Sequence, residues 1–185
     1  MKVYGFGDSN KPSIMLFPGT CCYWKTNFGH VLEGLQQHFY SMIVSYSGFD
    51  ETENTTFISE LDEVEKIEAY IKEHLNGKLF AAYGCSLGGS VVSLLVSRQN
   101  IHIDHAMRNQ FCTDLYTKVG EQIQVPGTTI HVFYALKMGE KYRKRYLIYF
   151  ADPDICEYNL QHEELLLDAE RWTQEVVRAC GKSVR

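Results

Sequence analysis

The residues best suited to chemistry are Gly84-Cys85-Ser86-Leu87-Gly88. An apolar run at 79–83 precedes them and reads as a buried strand; an apolar run with small residues at 90–96 follows and reads as a helix. Gly-x-Ser-x-Gly between a strand and a helix is a turn so sharp that the serine takes a strained backbone conformation, and its hydroxyl stands above the sheet edge. Glycines flank it because a Cβ at either place would collide with the neighbouring strand or helix. The start of the helix also aims free N–H groups at the point where negative charge would develop on a substrate oxygen. Ser86 is the middle residue between Gly84 and Gly88, so Cys85 should point back into the sheet. A serine hydroxyl is a poor nucleophile until an imidazole can take its proton, so the pattern needs a histidine from elsewhere in the chain.

The elements that must position this serine alternate strand and helix. Strands are expected at 2–6, 13–17, 41–46, 79–83, 101–107, 129–138 and 155–159. Helices are expected over 28–39, 58–75, 90–96, 140–150 and 164–179, and residues 108–127 leave room for one short helix. The helix at 58–75 is the clearest: Leu61, Val64, Ile67, Ile71 and Leu75 share one stripe, and Gly77 stops it. Such alternation, without repeats or linkers, implies a mostly parallel sheet covered by helices on both faces of a single domain over 1–185. Right-handed crossovers then gather the loops after the strands on one edge, where ligands bind.

Four features together resemble the α/β-hydrolase superfamily over nearly the whole chain. They are Phe17-Pro18-Gly19-Thr20 after an early strand, the turn around Ser86, a late strand ending at Gly139-Glu140, and Gln161-His162-Glu163 before the final helix. The order nucleophile, acid, histidine is that superfamily's order. The resemblance implies an α/β-hydrolase-type fold, and the short stretch between the helix after Ser86 and the strand at 129 leaves no room for a cap domain. It also implies a catalytic triad.

His162 is the expected base, because it follows a strand and precedes an amphipathic helix and so projects at the reactive edge. His38 and His74 fall late in surface helices, His102 and His131 within strands, His30 at a helix start and His105 near the end of its strand. Glu140, at the carboxyl end of the strand over 129–138, is the expected acid, with Asp114 in reserve. Many relatives carry the acid three residues after this glycine, where this chain has Tyr142. Asp152 and Asp154 precede the last strand, which in a parallel sheet leaves them on the opposite edge as turn formers around Pro153. The oxyanion hole needs only backbone N–H groups: Leu87 would supply one and Thr20 or Cys21 the other. Pro18 stands where relatives often have histidine, without removing a backbone donor. Tyr23, Trp24, Phe49 and Phe111 are candidates either for lining a substrate pocket or for the core.

Composition narrows the partners. At 185 residues, 45% hydrophobic and a formal net charge of -5, the chain lacks an electrostatic footprint for nucleic acid. No apolar run is long enough to span a membrane, and the first residues lack a signal-peptide pattern, so a cytoplasmic location is the expectation. The six cysteines are scattered without metal-ligand spacing and read as reduced thiols. No metal or other cofactor is expected. The sequence therefore points to hydrolysis of a small carboxylic ester or thioester. Acyl transfer on the same fold and ligand binding without catalysis are the alternatives.

Overall fold

Continuous apolar runs of four to seven residues fold here as strands buried on both faces, and the longer amphipathic stripes fold as the helices that bury them. A computed structural model describes residues 1–108, 122–147 and 149–181. The strands are β1 (Lys2–Phe6), β2 (Ser13–Phe17), β3 (Tyr40–Ser45), β4 (Lys78–Gly84), β5 (His102–Arg108), β6 (Thr129–Ala135) and β7 (Asp154–Tyr158). The helices are α1 (Trp24–Phe28), α2 (Leu32–Leu35), α3 (Glu60–Leu75), α4 (Leu87–Arg98), α5 (Glu140–Leu147), α6 (Glu164–Leu167) and α7 (Ala169–Cys180).

The strands form one seven-stranded sheet in the order β1-β3-β2-β4-β5-β6-β7. β1 runs antiparallel to β3, and every other pairing is parallel. On one face Met15, Val44, Ala82 and Ala106 pack with Val64, Ile67 and Ile71 of α3 and with Val91, Val92 and Leu95 of α4. On the other, Ile14, Leu16, Ile43, Ala81 and Met107 pack with Phe28, Leu35, Trp172 and Val176 of α1, α2 and α7. Alanines at the centre of β4 let helices approach closely from both sides. The register pairs Phe17 with Gly84 and Gly84 with Arg108, so the carboxyl ends of β2, β4 and β5 are level at the edge that carries Ser86.

Three elements depart from the sequence expectation. The helix expected over 28–39 starts earlier, at Trp24, and is interrupted by a 3-10 turn at Gly29–Val31, where glycine lowers helix propensity. β6 stops at Ala135, and Leu136–Met138 form a 3-10 turn ending at Gly139, whose φ of 89 suits glycine. The closing helix is split by Asp168, which leaves helical geometry and caps α7 by accepting the Arg171 N–H at 3.1 Å. The short helix considered for 108–127 falls mostly outside the described residues. No described helix is long and apolar enough to cross a membrane. The described cysteines are free thiols, and no metal-binding group of three His, Cys, Asp or Glu side chains occurs among the described residues.

Towards the amino ends of β6 and β7, away from Ser86, lies a polar chain in which two buried histidines lead to an exposed aspartate. His105 Nδ1 is 3.3 Å from His131 Nε2, and His131 Nδ1 is 3.1 Å from Asp154 Oδ2. Burial, and then the neighbouring His131, holds the His105 imidazole below its ordinary value. Below a pH of about 6.5 the unfolded chain therefore takes up a proton that the folded chain resists, so this contribution is full above that pH and is lost as the pH falls. The urea midpoint should drop between pH 7 and pH 5, and His105→Asn should flatten that slope. An equally steep fall in the variant would refute this account.

Candidate active site

Ser86 stands between the last residue of β4 and the first of α4, at φ 49 and ψ -111. A non-glycine residue held there costs on the order of 1–3 kcal/mol, which the surrounding packing must offset. Two short turns close around it, with the Gly88 N–H donating to Cys85 O and the Gly89 N–H to Ser86 O, both at 2.8 Å. A Cβ on Gly84 would overlap the Gly88 carbonyl, and one on Gly88 would overlap the Phe17 carbonyl. Both glycines are thus required by backbone-to-backbone contact. Cys85 is 3% exposed and joins the core facing α1 and α7.

The loop after β2 comes alongside. The Gly19 N–H donates to Asn27 Oδ1 at 2.9 Å, and Asn27 Nδ2 reaches Cys85 Sγ at 3.6 Å, so one side chain of α1 clamps this loop to the strand end. The Tyr46 hydroxyl donates to Pro18 O at 3.3 Å. Cys21 takes φ 55, and the Cys22 N–H closes the turn onto Gly19 O at 3.2 Å. Among the described residues the backbone N–H groups of Leu87, Thr20 and Cys21 donate no hydrogen bond. Asn27 was not singled out from the sequence. It lies just before the helix expected over 28–39, and no sequence pattern marks it.

His162 lies on the loop after β7. The Lys137 N–H donates to Leu160 O at 3.2 Å and ties that loop to the turn after β6. His162 Nε2 is 3.4 Å from Glu163 Oε1, and the same oxygen accepts the Ser86 N–H at 2.8 Å. The structure thus brings the Ser86 backbone N–H and the His162 ring to one carboxylate oxygen, that of Glu163, which sequence reasoning passed over. Its only signal was its place beside His162. His30, which the sequence placed at a helix start, bonds Leu166 O through Nε2 at 2.8 Å and anchors α6.

Glu140 is not the carboxylate brought to His162. It begins α5, is 64% exposed and lies 3.9 Å from Arg143, which in turn bonds Glu157 at 2.6 Å. The early end of β6 and the turn at Gly139 put it there. Asp154 sits on the opposite edge with His131, as the parallel geometry requires, and Asp152 precedes it in a left-handed turn. Asp114 and Phe111 lie outside the described residues. Trp24 is core, stacked on Tyr4 at 4.6 Å, and Phe49 packs on Phe57 at 5.6 Å. Burial and then the Glu163 carboxylate push the Cys85 thiol and the Tyr83 phenol well above their ordinary values.

This architecture is shared with many solved structures at low sequence identity. A protein described as an α/β-hydrolase family member from Desulfitobacterium hafniense superposes with a TM-score of 0.80 at 16% identity, covering 96% of this chain and 99% of that one. A lipase-esterase related protein from Clostridium acetobutylicum matches with a TM-score of 0.72 at 12% identity, over 96% of this chain and 98% of that one. An enol-lactonase from Burkholderia xenovorans matches with a TM-score of 0.70 at 10% identity, over 96% and 95%. The chain has the α/β-hydrolase fold, with no cap domain among the described residues. No protein-family model and no curated protein sequence matches it.

Since Gly88 meets the Phe17 carbonyl directly, Gly88→Ala should destabilise the fold by about 3 kcal/mol or more. For a chain of this size that is a loss of roughly 10 °C in Tm by calorimetry. A Tm within about 2 °C of the parent would mean that β2 and α4 do not meet in this way.

Proposed function

We propose that the chain is a serine hydrolase that cleaves a small carboxylic ester or thioester through an acyl-serine intermediate. The observation that carries this reading is Ser86, held in the left-handed region at the start of α4 beside the loop that bears His162. The fold's neighbours include an enol-lactonase and a lipase-esterase related protein, which agrees with ester chemistry.

In this reading Ser86 Oγ attacks the carbonyl carbon while its proton passes to His162. The carbonyl oxygen becomes an oxyanion that accepts from the N–H groups of Leu87 and of Thr20 or Cys21, which have no other acceptor among the described residues. His162 returns the proton to the departing alcohol or thiol. Water then attacks the acyl-serine and gives a proton to His162; as the bond to Ser86 Oγ breaks and the acid leaves, His162 returns that proton to Ser86 Oγ. No metal or cofactor enters these steps.

A fluorophosphonate probe should label the folded protein at Ser86 by mass spectrometry, and Ser86→Ala should lower kcat on p-nitrophenyl esters at least about a thousandfold. Cys85→Ala should keep its labelling, because that thiol is buried behind the turn. Absence of labelling at Ser86 would refute the hydrolase reading. The Glu140–Arg143 pair favours a second reading, a ligand-binding protein on the same fold, which predicts affinity for an ester without turnover.

A further inference from the structure

Glu163 occupies the capping position of α6, yet its side chain makes no capping bond to that helix. Its backbone is held at φ 62 and ψ 0, a region that glutamate rarely enters. The carboxylate is turned instead to a different element, accepting the Ser86 N–H at 2.8 Å and facing His162 Nε2 at 3.4 Å. The side chain is 21% exposed, and its Oε2 is buried with no donor among the described residues. A buried carboxylate oxygen without a donor costs free energy. A glutamine would satisfy the Ser86 N–H equally well, and would bury an uncharged amide in place of a charged oxygen. The cost therefore attaches to the charge, and the residue in a position to use a negative charge is the neighbouring imidazole.

We propose that Glu163 is the positioning residue of this site: it ties His162 to the serine turn through the Ser86 N–H and stabilises the imidazolium that forms during turnover. The proposal rests on the serine-hydrolase reading. When the Ser86 O–H bond breaks, the oxygen's electron pair forms the bond to the substrate carbonyl carbon and the proton forms an N–H bond on His162. Glu163 exchanges no proton. It remains ionised beside the transient positive charge, the role that a triad carboxylate performs. Because Glu163 directly follows His162, one side chain fixes both the place of the imidazole's loop and the field at its ring.

Glu163→Gln keeps the acceptor and removes the charge. In this variant kcat on a p-nitrophenyl ester should fall about a hundredfold or more, with KM within about threefold and Tm equal to or above that of the parent. Formate should restore part of the turnover of Glu163→Ala by returning a carboxylate to the vacated space, a response that a purely structural role would not give. Wild-type kcat in Glu163→Gln would overturn the proposal, as would a kcat loss matched by a fall in Tm with no formate rescue. Loss of turnover in Glu140→Gln with Glu163→Gln unchanged would assign the acid to the end of β6 and overturn it as well. Wild-type protein is probed with fluorophosphonate in parallel. No labelling there removes the serine-hydrolase reading and this proposal together, whereas labelling with full Glu163→Gln activity removes this proposal alone.

Discussion

The close approach of the first turn of α4 to the ends of β2 and β4 constrains everything else at the reactive edge. Backbone meets backbone at Gly84 and Gly88, leaving no volume for a side chain. That contact bends the chain through Ser86 and holds it at φ 49. The strain is sustained because α4 is anchored along its length, with Val91, Val92 and Leu95 buried against the sheet. The Cys85 N–H donates to Phe17 O at 3.0 Å, extending the β2–β4 ladder one residue past β4 and fixing the turn's height above the edge. A looser helix would let Ser86 relax to an ordinary conformation and lower its hydroxyl towards the sheet.

The same edge is stiffened from the β3 side. Glu63 of α3 is fully buried, accepts the Ser47 N–H at 3.1 Å and pairs with Lys66 at 2.8 Å. Lys66 also reaches Ser47 Oγ at 2.9 Å, so the charge removed from water meets both a cation and a backbone donor. The Tyr4 hydroxyl donates to Asp50 at 2.7 Å, tying the next part of the loop to β1. Burial pushes the Asp50 carboxyl up, but hydrogen bonds from Thr52 and Tyr4 outweigh it and hold the group well below the usual carboxylate range. These contacts fix the loop after β3 to α3 and to β1.

Much of this was legible in the sequence because it depends on short-range pattern. The strand–Gly84-Cys85-Ser86-Leu87-Gly88–helix run specifies its own geometry, and the apolar runs at 13–17, 41–46 and 79–83 specify buried parallel strands. Less legible were features set by one residue's local competition. Asp168 ends α6 by capping α7, although the apolar stripe runs on through it. Glu140 stands at the expected place in chain order, but the chain turns at Gly139 four residues after the end of β6, and its carboxylate goes to Arg143. Glu163 was hidden for the opposite reason. Its relation to Ser86 spans 77 residues and depends on a left-handed backbone that no local pattern announces.

The Glu163 carboxylate also bears on which nucleophile this edge can use. Two thiols lie near it, and it acts on both in one direction. Cys85 is pushed up by burial and then by this charge; Cys22 is pushed up by burial, then by Cys21, then by the same carboxylate. A thiolate must exist before it attacks, so a fixed negative charge beside it works against cysteine chemistry. A serine that transfers its proton to an imidazole as it attacks meets the reverse situation. The positive charge then forms on the ring facing Glu163, and the carboxylate favours it. In the proposed reaction this half-buried carboxylate would discourage Cys85 and Cys22 while assisting Ser86, which would give the selectivity a basis in charge as well as in the register of the turn.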